Sequence, residues 1–366
     1  MSTRTAGMGY NVSETVQVGS LAYDLDVANY EYYDIIAPSP NQNPIAWSWN
    51  SMALSLFVVC ELIISILGIL GNLLVVVVVF QRRSRGRSTD ILVGNLAIAD
   101  FLTCVFLLPY PEIRTVPDSW LGSLYCRFVR GHYLMWTSVT ASIYSLLAVT
   151  VDRYFAMVYP IHFKRYVTRP LINVVVVSVW TVSSMLMVPM LVINKMNIDG
   201  VCVFIFPSTT FQAAFGVYIF AIRIAAPTTI MLFTQLAIVR TLHRQSSRFE
   251  NTTASFHDVA RTRILKLTFT IVLLYIVCWS PNQFAFLAYN LGLTQASYAY
   301  SPLSRVFIVI AFCNSCVNPI LYTLRHPQFR DAVRAYFKRS TGSRAPIFAE
   351  PSLASKQTPN RKKSSA

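Results

Sequence analysis

The residues of this sequence that could do chemistry are few and stand in apolar surroundings. Asp100 closes the stretch Leu96-Ala97-Ile98-Ala99-Asp100, and a carboxylate in such a stretch is costly in hydrocarbon, which marks it by default as functional. Asn72, Ser142, Asn314, Ser315 and Asn318 lie in other apolar runs. With Asp100 they offer oxygen ligands for a small hard cation such as sodium; a buried hydrogen-bond network joining helices would use the same groups. Asp152-Arg153-Tyr154 ends another apolar run, as an ion pair at a helix end would. The five histidines, His132, His162, His243, His257 and His326, show no paired spacing that would hold a catalytic zinc. No residue is assigned a catalytic role, which argues against a membrane hydrolase, and no cofactor is expected beyond an allosteric sodium ion at Asp100.

These side chains need an apolar frame. The chain is 54% hydrophobic and only 13% charged, too apolar for an ordinary soluble domain. A bilayer-crossing helix needs roughly 20 mainly apolar residues. Leu62 to Phe80, Gly131 to Val151, Leu171 to Asn194, Leu267 to Tyr289 and Val306 to Leu324 qualify, as do Ile91 to Leu108 around Asp100 and Phe211 to Val239 around Arg223. The sequence therefore predicts an all-α membrane protein, a bundle of seven transmembrane helices over 51–325 between an outer tail, 1–50, and an inner tail, 339–366. Over 326–338, Phe329, Val333 and Phe337 recur at helical spacing and predict a short amphipathic helix on the inner membrane surface. A transporter would show repeated halves, and none is evident.

Charge sets the orientation. Arg82, Arg83, Arg85 and Arg87 follow the first span, and Lys164, Arg165 and Arg169 follow the third; basic loops stay cytoplasmic. The net charge of +15 thus lines the inner face, where it can meet anionic membrane lipid and an acidic partner rather than nucleic acid. The outer tail lacks the apolar core of a cleavable signal peptide, so the first span is expected to act as the insertion signal. The tail reads as disordered, with a glycosylation pattern at Asn11 and acids around Tyr23, Tyr30, Tyr32 and Tyr33 that suit sulfation or a cationic ligand.

Cys126 and Cys202 are the two cysteines placed on the oxidising side, and a bond between them is expected. The β-branched and aromatic segment Val201 to Ile205 predicts a short hairpin strand. Pro109, Pro189, Pro227, Pro281 and Pro319 interrupt five spans and invite kinks. Cys278-Trp279-Ser280-Pro281 places a large ring beside one bend, and Asn318-Pro319-Ile320-Leu321-Tyr322 places an amide and a phenol beside another.

Gly71-Asn72, Leu96 to Asp100, Cys126, Asp152-Arg153-Tyr154, Trp180, Pro227, Cys278 to Pro281 and Asn318 to Tyr322 occur in this order. Together they resemble the rhodopsin-like G-protein-coupled receptors over about residues 53 to 338. The resemblance implies a receptor activated by an extracellular ligand. Asp152 would hold Arg153 until it is released to a heterotrimeric G protein, Trp279 would sit beneath the ligand, and Tyr322 would swing inward. Asp100, Ser142, Asn314 and Asn318 would form the family's sodium site. Receptor kinase and arrestin would act on the Ser- and Thr-bearing inner tail. The plasma membrane is the expected location.

Two departures stand out. Tyr275 replaces the family's Phe before Trp279, and Gln235 replaces a Tyr after Pro227. Moreover, Arg153 follows Cys126 by 27 residues, two more than usual in the family, while Ser142 keeps its distance from Arg153. A bulge or longer outer turn near Arg130-Gly131-His132 is therefore expected.

The resemblance also constrains the ligand. Met135 stands where amine receptors carry their acid, and Phe312 where opsins carry the retinal-bearing Lys. The acidic tail, the hairpin and ionisable groups of both signs in the outer bundle favour a peptide; a lipid or another small non-amine ligand is the alternative. Candidate ligand contacts are Glu61, Glu112, Met135, Trp136, Tyr218, Arg223, Trp279 and Gln283, with Tyr110 and Tyr289 beside them.

Overall fold

The computed structural model describes residues 47–49, 55–81, 88–111, 113–246, 256–295, 297–298, 301–325 and 327–337. Asn11, the tail tyrosines, Glu112, the Arg82 to Arg87 run and the inner tail lie outside them. The fold is all-α across the membrane. Seven helical spans among the described residues are long and apolar enough to cross a bilayer.

The first two spans are α1 (Leu56–Gln81) and α2 (Ser88–Phe106). The third comprises α3 (Trp120–Leu124), a π-helical segment (Tyr125–Arg130) and α4 (Tyr133–Val158). A loop helix, α5 (Pro160–Tyr166), leads to the fourth span, which is divided into α6 (Arg169–Leu186) and α7 (Val188–Ile193). The fifth runs from α8 (Thr209–Phe220) through a second π-helical segment (Ala221–Ala225) into α9 (Ala226–Ser246). The sixth and seventh are α10 (Phe256–Asn290) and α11 (Pro302–Arg325), and α12 (Pro327–Phe337) follows.

The third span is the central strut. In its most apolar window 72% of residues are buried, against 22% in the fourth span, so α4 packs on protein while α6 faces lipid. On α1, Leu62, Ile63, Ile66, Leu67 and Leu70 form an exposed apolar face, as a helix whose solvent is lipid requires. Close approach between helices depends on small residues: a Cβ added to Gly68 would overlap Cys104 Sγ.

Prolines act as local breaks. Pro189 lies in the first turn of α7, just after Met187 closes α6, and Pro227 lies at the start of α9. Pro281 and Pro319 remain inside α10 and α11.

Two small sheets among the described residues cap the outer end. Ser48–Trp49 (β1) pairs antiparallel with Ile113–Thr115 (β2). This corrects the reading of 1–50 as wholly disordered: Ser48 Oγ bonds to Thr115 Oγ1 at 2.7 Å, and Trp47 packs edge-on against Tyr125. Asn194–Met196 (β3) pairs antiparallel with Cys202–Phe204 (β4), which is the hairpin expected around Cys202. The fourth span also ends earlier than expected, because Asn194 already belongs to β3.

The amphipathic helix is present as α12. Phe329 is fully buried against Tyr322, with ring centres 6.1 Å apart, and Val333 packs against the core. The side chain of Phe337 lies outside the described ones.

Candidate functional site

The third span carries functional groups at both ends. At its inner end, Arg153 Nη2 lies 3.0 Å from Asp152 Oδ2. The same oxygen accepts a 2.6 Å hydrogen bond from Thr89 Oγ1 on α2. Both charged side chains are almost fully buried, where an ion pair is screened far less than at a surface. Asp152 Oδ1 and Arg153 Nε have no hydrogen-bond partner among the described residues, so the pair is held through one shared oxygen. Such a pair is costly to bury and strongly destabilised if one partner is removed. At the same end of the span, Met157, Ile238 and Leu265 form an apolar cluster with Tyr154 and Leu242, joining the third, fifth and sixth spans.

At mid-membrane, Asp100 is fully buried. Its Oδ1 accepts from Ser142 Oγ at 2.7 Å and its Oδ2 from Asn318 Nδ2 at 2.8 Å. Asn314 is buried one helical turn before Asn318 on α11. The carboxylate and hydroxyl are oxygen donors of the kind a hard monovalent cation takes, while Asn318 turns its Nδ2 to the carboxylate. Asn72 Nδ2 donates to the carbonyls of Gly68 and Ser315, tying α1 to α11. Asn95 bridges Ser145 and Trp180 at 2.8 and 2.9 Å, tying α2 to α4 and α6. The structure therefore brings Asp100, Ser142 and Asn318 into direct contact, with Asn314 one turn along the same helix.

Toward the outer side, aromatic rings form a ladder. Trp279 meets Phe312 with ring centres 6.0 Å apart, and Phe312 meets Trp136 at 6.3 Å. The guanidinium of Arg223 sits 4.1 Å above the Trp136 ring, a favourable cation–π arrangement. Its Nη2 also donates to Met187 Sδ at 3.1 Å. Arg223 lies within the π-helical segment of the fifth span, and the Tyr275 hydroxyl donates to its carbonyl. That is what the departure at Tyr275 does: the extra hydroxyl reaches a carbonyl in an irregular turn, where π-helical geometry rearranges the usual ladder. Gln235, the second departure, is buried with Nε2 unpartnered among the described residues.

The other ligand candidates are placed unevenly. Met135, Trp136, Gln283 and Glu61 are all buried. Gln283 Oε1 and Glu61 Oε2 are unpartnered among the described residues, so each offers an acceptor to a donor. Tyr218 instead donates its hydroxyl to the Leu186 carbonyl at 2.8 Å. Trp279 Nε1 has no hydrogen-bond partner among the described residues. Sequence reasoning missed Thr89 and Met187, because neither a threonine near a helix start nor a methionine in an apolar run carries a distinguishing signal.

At the outer end, Cys126 and Cys202 form a disulfide with Cα atoms 5.2 Å apart. It fastens β4 to the π-helical segment. Gly131 and His132 then break the span: Gly131 N donates to Cys126 O at 2.9 Å and His132 N to Val129 O at 3.0 Å. His132 has a left-handed backbone, φ 50°. A Cβ on Gly131 would stand 2.6 Å from the Arg127 carbonyl and 2.8 Å from Asn194, so the hairpin can approach only because the side chain is absent. The expected bulge is present.

A seven-span bundle with this buried Asp152–Arg153 pair, polar core and tethered outer hairpin defines a class of membrane signalling receptor. Residues 71–322 match the family described as 7 transmembrane receptor (rhodopsin family), and the chain belongs to it; it is a multi-pass membrane receptor of the G-protein-coupled type, not an enzyme. Similar curated proteins include neuropeptide Y receptor type 6 of Oryctolagus cuniculus, 25% identical over 76% of this chain and 80% of that protein. Galanin receptor 2a of Danio rerio is 28% identical over 80% and 79%. The KiSS-1 receptor of Rattus norvegicus is 28% identical over 73% and 71%.

Proposed function

We propose that this receptor answers an extracellular peptide and passes the signal to a heterotrimeric G protein at the plasma membrane, with its N-terminus outside. The observation that carries the ligand class is that the similar receptors are named for neuropeptides and peptide hormones over most of both chains. An outer face built of hairpin and strand, with buried Glu61, Gln283 and Arg223 below it, suits a ligand with both charges and amides. The peptide must bind the active state better than the resting state, since only differential affinity shifts the equilibrium.

In the resting arrangement Thr89 holds Asp152, and Asp152 holds Arg153; activation frees the guanidinium for the G protein. Sodium at Asp100, with Ser142, Asn314 and Asn318, would stabilise the resting packing of α2, α4 and α11. Asn11 would carry glycan, and receptor kinase and arrestin would act on the inner tail.

The test is a peptide library screened in cells expressing the full chain, read by calcium and cAMP. A peptide agonist should activate wild type, and Arg153→Ala should bind it with signalling lost. A response to lipids only would overturn the peptide assignment, and equal signalling by Arg153→Ala would overturn the switch.

A further inference from the structure

A groove of about 610 Å³ opens on the cytoplasmic half of the bundle, away from the candidate ligand contacts of the outer half. Its wall is almost entirely carbon, from Leu92, Val151, Phe155, Tyr166, Leu171 and Ile172, and Asp152 forms part of its floor. The volume falls in the roughly 300–1,000 Å³ range of small-molecule sites. Leu171 is exposed, and Val174 and Val177 continue the exposed apolar face along α6, so the groove opens sideways toward hydrocarbon. Its cytoplasmic rim is basic. Arg165 lies 5.4 Å from the centre of the Tyr166 ring, on whose face His162 also stacks. Lys164 precedes it and Arg169 begins α6. From Pro160 to Arg169 there is no acid.

We infer that this groove holds one acyl chain of an anionic phospholipid of the inner leaflet, with the headgroup on Lys164, Arg165 and Arg169, and that its occupancy holds the receptor at rest. An apolar chain suits the wall, and an anionic headgroup suits the rim, where each basic residue near the surface attracts anionic lipid. The coupling follows from the floor. A chain packed on Leu92 of α2, Val151 of α4 and Ile172 of α6 fixes those helices against one another, and with them the contacts that Thr89 and Arg153 make to Asp152. Headgroup and ion pair are then joined through α5, whose His162, Phe163 and Tyr166 line the same groove as Asp152.

Purified full-length receptor in phosphatidylcholine nanodiscs, doped with phosphatidylserine bearing a photoactivatable acyl chain, tests this directly. Crosslinks should fall on Leu92 and within residues 148–175. Arg165→Gln and Arg169→Gln should each cut labelling roughly fivefold, and Ala148→Phe, which fills the groove, should abolish it. Ala148→Leu keeps the test available should the Phe variant not fold. Phosphatidylserine should also lower basal nucleotide exchange on an added G protein in wild type and not in the filled variant. Equal labelling by a phosphatidylcholine probe, or labelling indifferent to both sets of variants, would overturn the inference. So would labelling unaffected by lipid charge but abolished by G-protein binding, which would assign the groove to the transducer. The crosslink needs no agonist, so it stands or falls separately from the peptide reading.

Discussion

The two halves of the third span obey different rules. From Tyr133 to Val158 the helix is regular and its polar groups are used: Ser142 on Asp100, Ser145 on Asn95, Asp152 on Arg153 and Thr89. From Tyr125 to His132 the backbone is π-helical and then left-handed, and what holds it is a disulfide and a hairpin rather than an uninterrupted hydrogen-bond ladder. In the inner half, neighbouring helices fix each residue. In the outer half, position depends on one covalent link and one missing side chain. Changes in the outer half should therefore damage folding and ligand binding, and inner-half changes that leave both members of the Asp152–Arg153 pair in place should move basal signalling in a receptor that still reaches the surface.

The largest effect is expected at the tether. Cys126→Ser or Cys202→Ser removes a bond that closes a long loop, with a cost of about 2–5 kcal/mol; surface staining should fall sharply, and wild-type display by both variants would break the comparison. Gly131→Ala pushes a methyl into Arg127 and Asn194 and should cost about 1–3 kcal/mol, read as a lower thermal midpoint in detergent with the disulfide intact. On the inner side, Thr89→Val removes a bond to a charged group worth about 1.5–3 kcal/mol. Surface display should persist while basal nucleotide exchange rises; unchanged exchange would show that the Asp152–Arg153 pair does not depend on α2. The smallest effect belongs to His132. His132→Val, forced into a left-handed backbone, should lose about 1–2 kcal/mol, whereas His132→Gly should match or slightly exceed wild type in the same melt.

The sequence was legible where polar chemistry is costly in hydrocarbon. Asp100, Asp152, Arg153 and Asn318 are polar groups that a membrane span carries only with partners, and the structure supplies those partners. The seven spans and α12 follow from apolar length and spacing. Ser48 and Trp49 carried no such sign, because two residues of strand are fixed by what they meet, here Ile113 to Thr115. Arg223 was recognised as a charge in a span, but its seat over Trp136 and against Met187 depends on how the fourth and fifth spans break. Pro189 and Pro227 mark those breaks, but which side chains the breaks bring together is set by packing between helices, which local sequence does not encode. The bulge before Tyr133 was visible as surplus length, though not the roles of its two halves, π-helical segment and left-handed turn.

That surplus has a consequence for how such a chain can change over generations. Two residues added to a continuous α-helix would turn everything beyond them by about 200°, exchanging the faces of the span. Here one wide turn and one left-handed residue take up the extra length before Tyr133, and the phase of the helix below is undisturbed. Length at this end can therefore vary without turning Ser142, Asp152 and Arg153 away from their partners, so the outer end can be remodelled independently of the inner one.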